Sequence, residues 1–254
     1  SHWFIECMER GAKLVTFTPE YSPPATKSDY WIPIRPQTDA ALFLGITRLM
    51  MDKGWYDKDF VLKFTDFPLL VRTDTLRRLR AHEVFADYKL GLSPEGPSFK
   101  IQGLKQEQYE KLGDFVAWDA AGSQPAAVTR DDVGERLSKK VSQPALEGTF
   151  KVMGVDGKEI EVMTLFSLYK IHLQDYDLHT VVEITHAPKD LIVQLAKDIA
   201  AIKPVAIHQG EGINHWFHAT EMNRAVYLPL MLTGNIGQRG AGAFGWAGNY
   251  KAAL

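Results

Sequence analysis

Residues 188–234 read PKDLIVQLAKDIAAIKPVAIHQGEGINHWFHATEMNRAVYLPLMLTG. The run "PKDLIVQLAKDIAAI" spaces its apolar residues as a helix does, and "KPVAIHQ" is a short apolar run of strand type. "GEGINHWFH" is a loop, and "ATEMNRAVYLPLMLTG" predicts a second helix. A helix feeding a short apolar strand, a loop and another helix is the unit of an α/β fold with a parallel sheet covered on both faces. Ligands of such sheets sit beyond the carboxyl ends of the strands. That directs attention to the loop 208–218 and to the glycines that follow the last helix.

The other end of the chain repeats the texture. A helix over roughly residues 2–10 is closed by Gly11, and "KLVTFT" is a strand ended by "PEYSPPATKSD". "WIPIRPQ" is extended and proline-broken. Thr38 predicts an N-cap for the amphipathic run "DAALFLGITRLMMDKG", which Gly54 closes. Thr18–Ser22 is therefore a second strand end.

The middle differs. "FVAWDAAGSQPAAVT" and "TFKVMGVDGKEIEVM" predict hairpins, the second turning on Asp156-Gly157 as a two-residue loop. A helix is expected from Thr164 to about Gln174, and "GLSPEGPSFKIQG" has the polar, Pro/Gly texture of a loop. The expected division is an α/β segment 1–60, a hairpin-rich insertion 61–186 and an α/β segment 187–254.

Composition narrows the class. The chain has 254 residues, 45% hydrophobic and 24% charged, with a formal net charge of −2. These values fit a globular protein and argue against a general nucleic-acid or anionic-membrane surface. Apolar runs of about ten residues, broken by Pro229 or Gly45, are too short to span a bilayer. Cys7 is the single cysteine, so no disulfide framework or cysteine-ligated cluster forms within the chain. It opens "SHWFIECMERG" without an initiator methionine, and the expectation is an internal piece of a longer polypeptide.

Candidate sites carry two readings each. Glu20 or Asp39 can accept from paired donors on a purine or ribose, and the start of the helix after Thr38 can meet a phosphate. Alternatively Thr38 is only a cap, and Asp39 only complements the helix dipole. His208, His215 and His218 are metal-ligand candidates, yet their aromatic neighbours suggest packing or stacking. Gly210 and Gly212 let backbone approach a ligand. "LTGNIGQRGAG" supplies backbone amides, Thr233 and Asn235, suited to a polyanion or a flat heteroaromatic ring, or else forms a structural turn. "RRLRAH" reads as a solvated helix face. Neither a Walker A motif nor a G-x-G-x-x-G follows the first strand. Spacing alone thus allows an elongated phosphate-bearing cofactor, a histidine-bound metallohydrolase or a non-catalytic α/β module.

The words "KLVTFTPEYSPPATKSDYWIPIRPQTDAALFLGITRLM" and "NRAVYLPLMLTGNIGQRGAG" resemble the molybdopterin oxidoreductases of the dimethyl-sulfoxide-reductase family. "GEGINHWFHATEMNRA" with "GWAGNYKAAL" is similar to the α subunits of the nitrate reductase branch, and most similar to those of nitrite oxidoreductases. The resemblance implies Rossmann-like parallel-sheet segments of a catalytic subunit, with a hairpin-rich insertion. It implies bis-molybdopterin guanine dinucleotide with molybdenum, and a 4Fe–4S cluster whose ligands lie outside this chain.

Carried over by position, Thr18, Pro19, Glu20, Tyr21 and Ser22 would line one nucleotide, and Gln37 and Asp39 would recognise guanine. Gly210, Gly212, Ile213, Asn214 and His215 would lie near a pterin and its phosphates, and Thr233, Gly234, Asn235, Ile236 and Gly237 would form the second signature. The implied reaction is oxygen-atom transfer that oxidises nitrite to nitrate, the alternative being reduction of nitrate, perchlorate or selenate. Implied partners are an iron–sulfur β subunit and a haem subunit, with a periplasmic or membrane-associated location. Residues for catalysis or metal ligation are expected outside the chain.

Overall fold

A computed structural model describes residues 2–89 and 113–245. The polar stretch at 91–103 and the aromatic-glycine end at 246–250 lie outside the described residues. The chain divides into two compact units, residues 1–56 with 173–254, and residues 57–172.

The first unit begins with α1 (His2–Glu9), β1 (Val15–Thr18), β2 (Tyr30–Pro33) and α2 (Asp39–Lys53). The central unit runs α3 (Lys58–Phe64), β3 (Leu70–Arg72), α4 (Ala81–Val84), β4 (Phe115–Asp119), β5 (Gln124–Val128), α5 (Glu135–Lys140), β6 (Thr149–Met153), β7 (Glu159–Thr164) and α6 (Leu165–His172). The chain then returns to the first unit with α7 (Leu178–Thr185), α8 (Lys189–Ala201), β8 (Ala206–Gln209), α9 (Ala219–Leu232) and β9 (Gly242–Gly245).

The first unit is α/β with parallel strand pairing. Its parallel strands form two separate pairs among the described residues, β1–β2 and β8–β9, rather than one continuous sheet. Both pairs are joined by crossovers, as parallel strands require.

The core of this unit is α2. Every residue from Ala41 to Thr47 is buried, as are Met50 and Met51. The sequence suggested an amphipathic helix. The structure instead buries α2 on all sides, because α7, α8 and α9 pack around it. Gly45 sits at the tightest crossing, where an added Cβ would fall 2.5 Å from Val181 Cγ2 on α7. This packing places α7 with the outer segments, and the two units divide at 56/57 and 172/173.

The central unit holds both expected hairpins. β4 pairs with β5, and β3–β7–β6 forms a three-stranded antiparallel sheet. Alternation along β4 divides its side chains between two cores. Val116 joins Leu70, Leu79, Val152 and Val162. Phe115 and Ala117 join Val128, Leu137 and Val141. The β6–β7 turn is longer than the two residues expected. Gly154 N donates to Lys158 O (2.8 Å) and Gly157 N to Gly154 O (3.0 Å), leaving Val155, Asp156 and Gly157 as a three-residue loop. Gly157, at φ +77°, takes the left-handed position such loops require.

The basic run 77–82 is not a helix face. Arg78 bridges to Val71, Leu79 is fully buried and Arg80 precedes the short α4. Arg72, Arg77, Arg78 and Arg80 line a cavity of about 700 Å³ with Thr75 and Glu83. Arg72 pairs with Asp74 and Glu83 at 2.7 Å each, Arg78 with Asp66, and Arg80 with Asp114 at 3.5 Å. The Arg72 guanidinium holds the Asp74 carboxyl down at about 2. The cavity is thus walled by an internal ion-pair network, and among the described residues neither the 18–22 loop nor the 208–218 loop lines it.

Candidate cofactor site

At the first strand end, the register Thr18↔Pro33 brings the carboxyl ends of β1 and β2 together. The loops 19–22 and 34–38 leave the same edge. Trp31 Nε1 donates to Thr18 O (3.0 Å), and the exposed Tyr21 ring leans on Trp31 at 5.1 Å between centroids. Ser22 N donates to Glu20 O at 2.8 Å, folding the loop back on itself.

Arg35-Pro36-Gln37-Thr38 has the signature of a type II turn. Thr38 N donates to Arg35 O (3.3 Å), Pro occupies the second position, and Gln37 takes φ +72° at the third. Glycine is the usual occupant there, since an L side chain is strained in the left-handed region. Arg35 N donates to Thr185 O at 2.8 Å, so α7 anchors the turn. Gln37 is exposed.

Thr38 occupies the N-cap position but makes no side-chain cap. Its hydroxyl donates to Arg35 O at 2.6 Å instead. Asp39 opens α2 half-buried, with no side-chain partner among the described residues. Burial raises its carboxyl above the usual carboxylate range, and its own backbone N–H only partly offsets this. An acceptor-only group is left with a desolvation cost and few donors.

The second strand end is built on β8 and β9, in register Gln209↔Gly245. Ile207 and Gln209 are buried, and His208 alternates to the exposed side. There it stacks on Phe244 (5.1 Å, 21°) and meets the edge of Phe4 (5.2 Å, 89°). Among the described residues no group of three or more His, Cys, Asp or Glu is placed to hold a metal ion. His208, His215 and His218 are therefore not gathered into a ligand set.

Gly210 and Gly212 are not in a left-handed conformation, and an added Cβ at either would meet nothing within 4 Å. Neither local conformation nor packing within the chain requires glycine there. Ile213 is buried, and Asn214 Oδ1 accepts from Asn223 Nδ2 (2.8 Å), which ties the loop to α9. His215 is exposed.

After α9, Thr233 and Asn235 turn inward. Thr233 Oγ1 donates to Pro229 O (2.7 Å) and accepts from Asn235 Nδ2 (2.7 Å). Asn235 Oδ1 accepts from Val205 N at 2.9 Å, and Asn235 N donates to Leu230 O at 2.9 Å. With Gly234 at φ +69°, this last bond is the 6→1 bond of a Schellman motif. These two polar side chains close the helix and clamp it to the start of β8. What faces outward is Ile236, 42% exposed, and Gly237, where an added Cβ meets open space.

The structure therefore groups the predicted residues at two loop systems of one unit. Two residues escaped sequence reasoning. Trp31 anchors the 18–22 loop, and its proline-broken surroundings drew attention away. Gln209 is buried at the end of β8, a position that period-two alternation from Ile207 could have found.

Three features test whether these residues fit a large phosphate-bearing cofactor. Glycines open on their Cβ side lie at both ends of the second loop system. Asp39 is a half-buried carboxylate without a side-chain partner. Gln209 Nε2 is a buried donor with no hydrogen-bond partner. All three suit a ligand that supplies donors, acceptors and close backbone contact.

Residues 3–253 match the family described as Molybdopterin oxidoreductase. The chain is 32% identical over 257 residues to perchlorate reductase subunit alpha of Dechloromonas aromatica (strain RCB), covering 99% of this chain and 27% of that protein. It is 30% identical over 255 residues to respiratory nitrate reductase subunit alpha of Haloferax mediterranei, covering 98% of this chain and 24% of that protein. The chain thus spans about a quarter of the length of these relatives. Among solved structures, acetylene hydratase from Pelobacter acetylenicus matches with a TM-score of 0.50 and 18% identity, over 93% of this chain and 19% of that one. That last likeness shows the fold. The parallel strand pairs, the open glycine loops and the match along nearly the whole chain converge: the chain belongs to the molybdopterin oxidoreductase family.

Proposed function

We propose that this chain is a cofactor-holding segment of the catalytic α subunit of a molybdenum oxidoreductase, and that the full protein oxidises nitrite to nitrate. The observation that carries the cofactor reading is Asp39. Its half-buried carboxylate, with no side-chain partner among the described residues, stands beside the exposed Gln37 on a strained turn. A guanine edge offers two adjacent donors that a carboxylate accepts as a pair. Thr18–Ser22 would flank that nucleotide, with Tyr21 on Trp31 as an aromatic ledge. Gly210, Gly212, Ile213, Asn214 and His215, with Thr233–Gly237, would form the cradle for a pterin and its phosphates. There Thr233 and Asn235 shape the loop, while the backbone at Ile236 and Gly237 faces the ligand.

The bound cofactor, a bis-molybdopterin guanine dinucleotide with molybdenum, supplies the two-electron oxygen-atom transfer; the protein supplies position and electrostatics. In balance, nitrite and water become nitrate, two protons and two electrons. A 4Fe–4S cluster held elsewhere in the full protein, an iron–sulfur β subunit and a haem subunit would be the acceptors for those electrons. A periplasmic or membrane-associated place is part of this reading. Among the described residues no helix is long and apolar enough to cross a membrane; in this reading membrane association is through partners.

The nitrite direction rests on the wording of the stretch 210–225 and of the chain's end. A second reading, reduction of nitrate or perchlorate, is favoured by the names of the two relatives above. Two assays on the full protein separate them. Nitrite-dependent reduction of an artificial electron acceptor supports the first, and nitrate-dependent oxidation of a reduced dye without it supports the second. For the cofactor itself, Asp39→Asn is expected to lower pterin and guanine-nucleotide content. Unchanged content in that variant refutes the assignment of Asp39.

A further inference from the structure

Gln209 is the last residue of β8 and is 7% exposed. Its Oε1 accepts from Tyr227 OH on α9 at 3.0 Å. Its Nε2 is shielded from solvent and has no partner among the described residues. The hydroxyl can donate or accept, so exchanging the amide's ends would still leave one end unpaired. Buried polar groups are nearly always satisfied, and an exception calls for a reason. The surroundings give a chemical one. Gly210 follows directly, Gly245 is the β9 residue paired with Gln209, and an added Cβ at either meets nothing within 4 Å. An unsatisfied amide thus ends a strand at the point where the chain leaves its own backbone open.

We propose that Gln209 is a positioning residue for the pterin cofactor, its carboxamide donating to an acceptor on the cofactor's ring or phosphate edge. This rests on the cofactor reading above. Tyr227 sets the side chain's rotamer by holding Oε1, so the donor is aimed before the ligand arrives. No stretch that carries the family resemblance includes Gln209, and Tyr227 lies in "NRAVYLPLMLTGNIGQRGAG" on the helix before its glycines.

The test compares Gln209→Leu with Tyr227→Phe in the full protein carrying its cofactor. Both substitutions break the same internal hydrogen bond, but only the first removes the donor. The readouts are pterin retained after prolonged gel filtration, by fluorescence of the oxidised pterin, and melting temperature of the cofactor-free protein. Loss of one neutral hydrogen bond predicts about tenfold weaker retention for Gln209→Leu, against less than about twofold for Tyr227→Phe. The cofactor-free Gln209→Leu protein should melt no lower than wild type, since it no longer buries an unpaired amide. Gln209→Glu keeps the acceptor for Tyr227 without supplying the donor, and should lose retention as Leu does.

Equal retention in Gln209→Leu and wild type overturns the proposal. So does parallel loss of retention and melting temperature in Gln209→Leu and Tyr227→Phe, which is the signature of a structural bond. A wild-type protein that never carries pterin overturns the cofactor reading itself, and this inference with it.

Discussion

Asn235→Ala tests the claim that the buried asparagine after α9 holds the loop rather than a ligand. Asn235 is fully buried, and its Oδ1 accepts from Val205 N at 2.9 Å, just before β8. Alanine leaves that N–H without its acceptor. An orphaned buried donor costs about 1–3 kcal/mol, and Val205 is half-buried, so the lower part of that range applies. The missing carboxamide adds a void worth about 1 kcal/mol. Thr233 Oγ1 loses the Asn235 donor but keeps its own bond to Pro229 O, so its hydroxyl adds little. The sum is about 2–3 kcal/mol, or roughly 4–12 °C in melting temperature for a chain of this size. Urea or thermal unfolding measures it, and amide exchange at Val205 localises it. Ile236→Ala, at the exposed neighbour, serves as the control and should cost under about 1 kcal/mol. A loss below about 1 kcal/mol for Asn235→Ala, with Val205 still protected, would refute the clamp.

Three more outcomes follow from the geometry. Gly45→Ala gains about 1 kcal/mol of helix propensity but drives a Cβ to 2.5 Å from Val181 Cγ2. Overpacking of about 1–3 kcal/mol should win by chemical denaturation, and Val181→Ala should rescue the variant; a stabilised single variant would contradict the packing. Gln37→Gly removes a left-handed strain of about 1–2 kcal/mol at an entropic cost of about 0.5–1 kcal/mol. It should unfold at equal or slightly higher urea while retaining less guanine nucleotide, and a clear destabilisation would disprove the strain. For Asp39, burial raises the folded-state carboxyl above its unfolded value. Between those two values the folded chain keeps a proton that the unfolded chain has lost, so stability falls as pH rises through that window. The penalty is then fully present above the folded-state value. Asp39→Asn should flatten this acid-range slope in cofactor-free protein and raise neutral stability; an unchanged slope would show that Asp39 does not carry it.

Much of the architecture was legible because its signals are local. The helix 189–201, the strand 206–209 and the helix 219–232 follow from residue periodicity, and both hairpins from alternation and turn residues. Gly11 and Gly54 take the positive φ that their terminating positions require. The β6–β7 turn was misjudged by one residue, because Asp-Gly suits both a two-residue turn and the last two positions of a three-residue loop. At the site, "RPQTDAAL" disclosed where Gln37 and Asp39 lie along the chain, and the glycines at 210, 212 and 237 fall where an added Cβ would meet nothing within 4 Å.

The sequence by itself determined which segments become helix and strand, that they alternate as an α/β protein, and which two loop systems carry the glycines and polar groups of the family. Tertiary structure alone decided what each of those residues does. Thr38 looks like a cap until its hydroxyl is found on Arg35 O, and Thr233 and Asn235 look like ligand groups until they are found closing α9 onto Val205. Asp39 looks like a dipole partner until burial leaves it short of donors, and Gln209 shows nothing until its amide is seen buried and half-satisfied. The reason is physical: propensity and capping are set within a few residues, whereas burial and hydrogen-bond satisfaction depend on groups far apart in the chain.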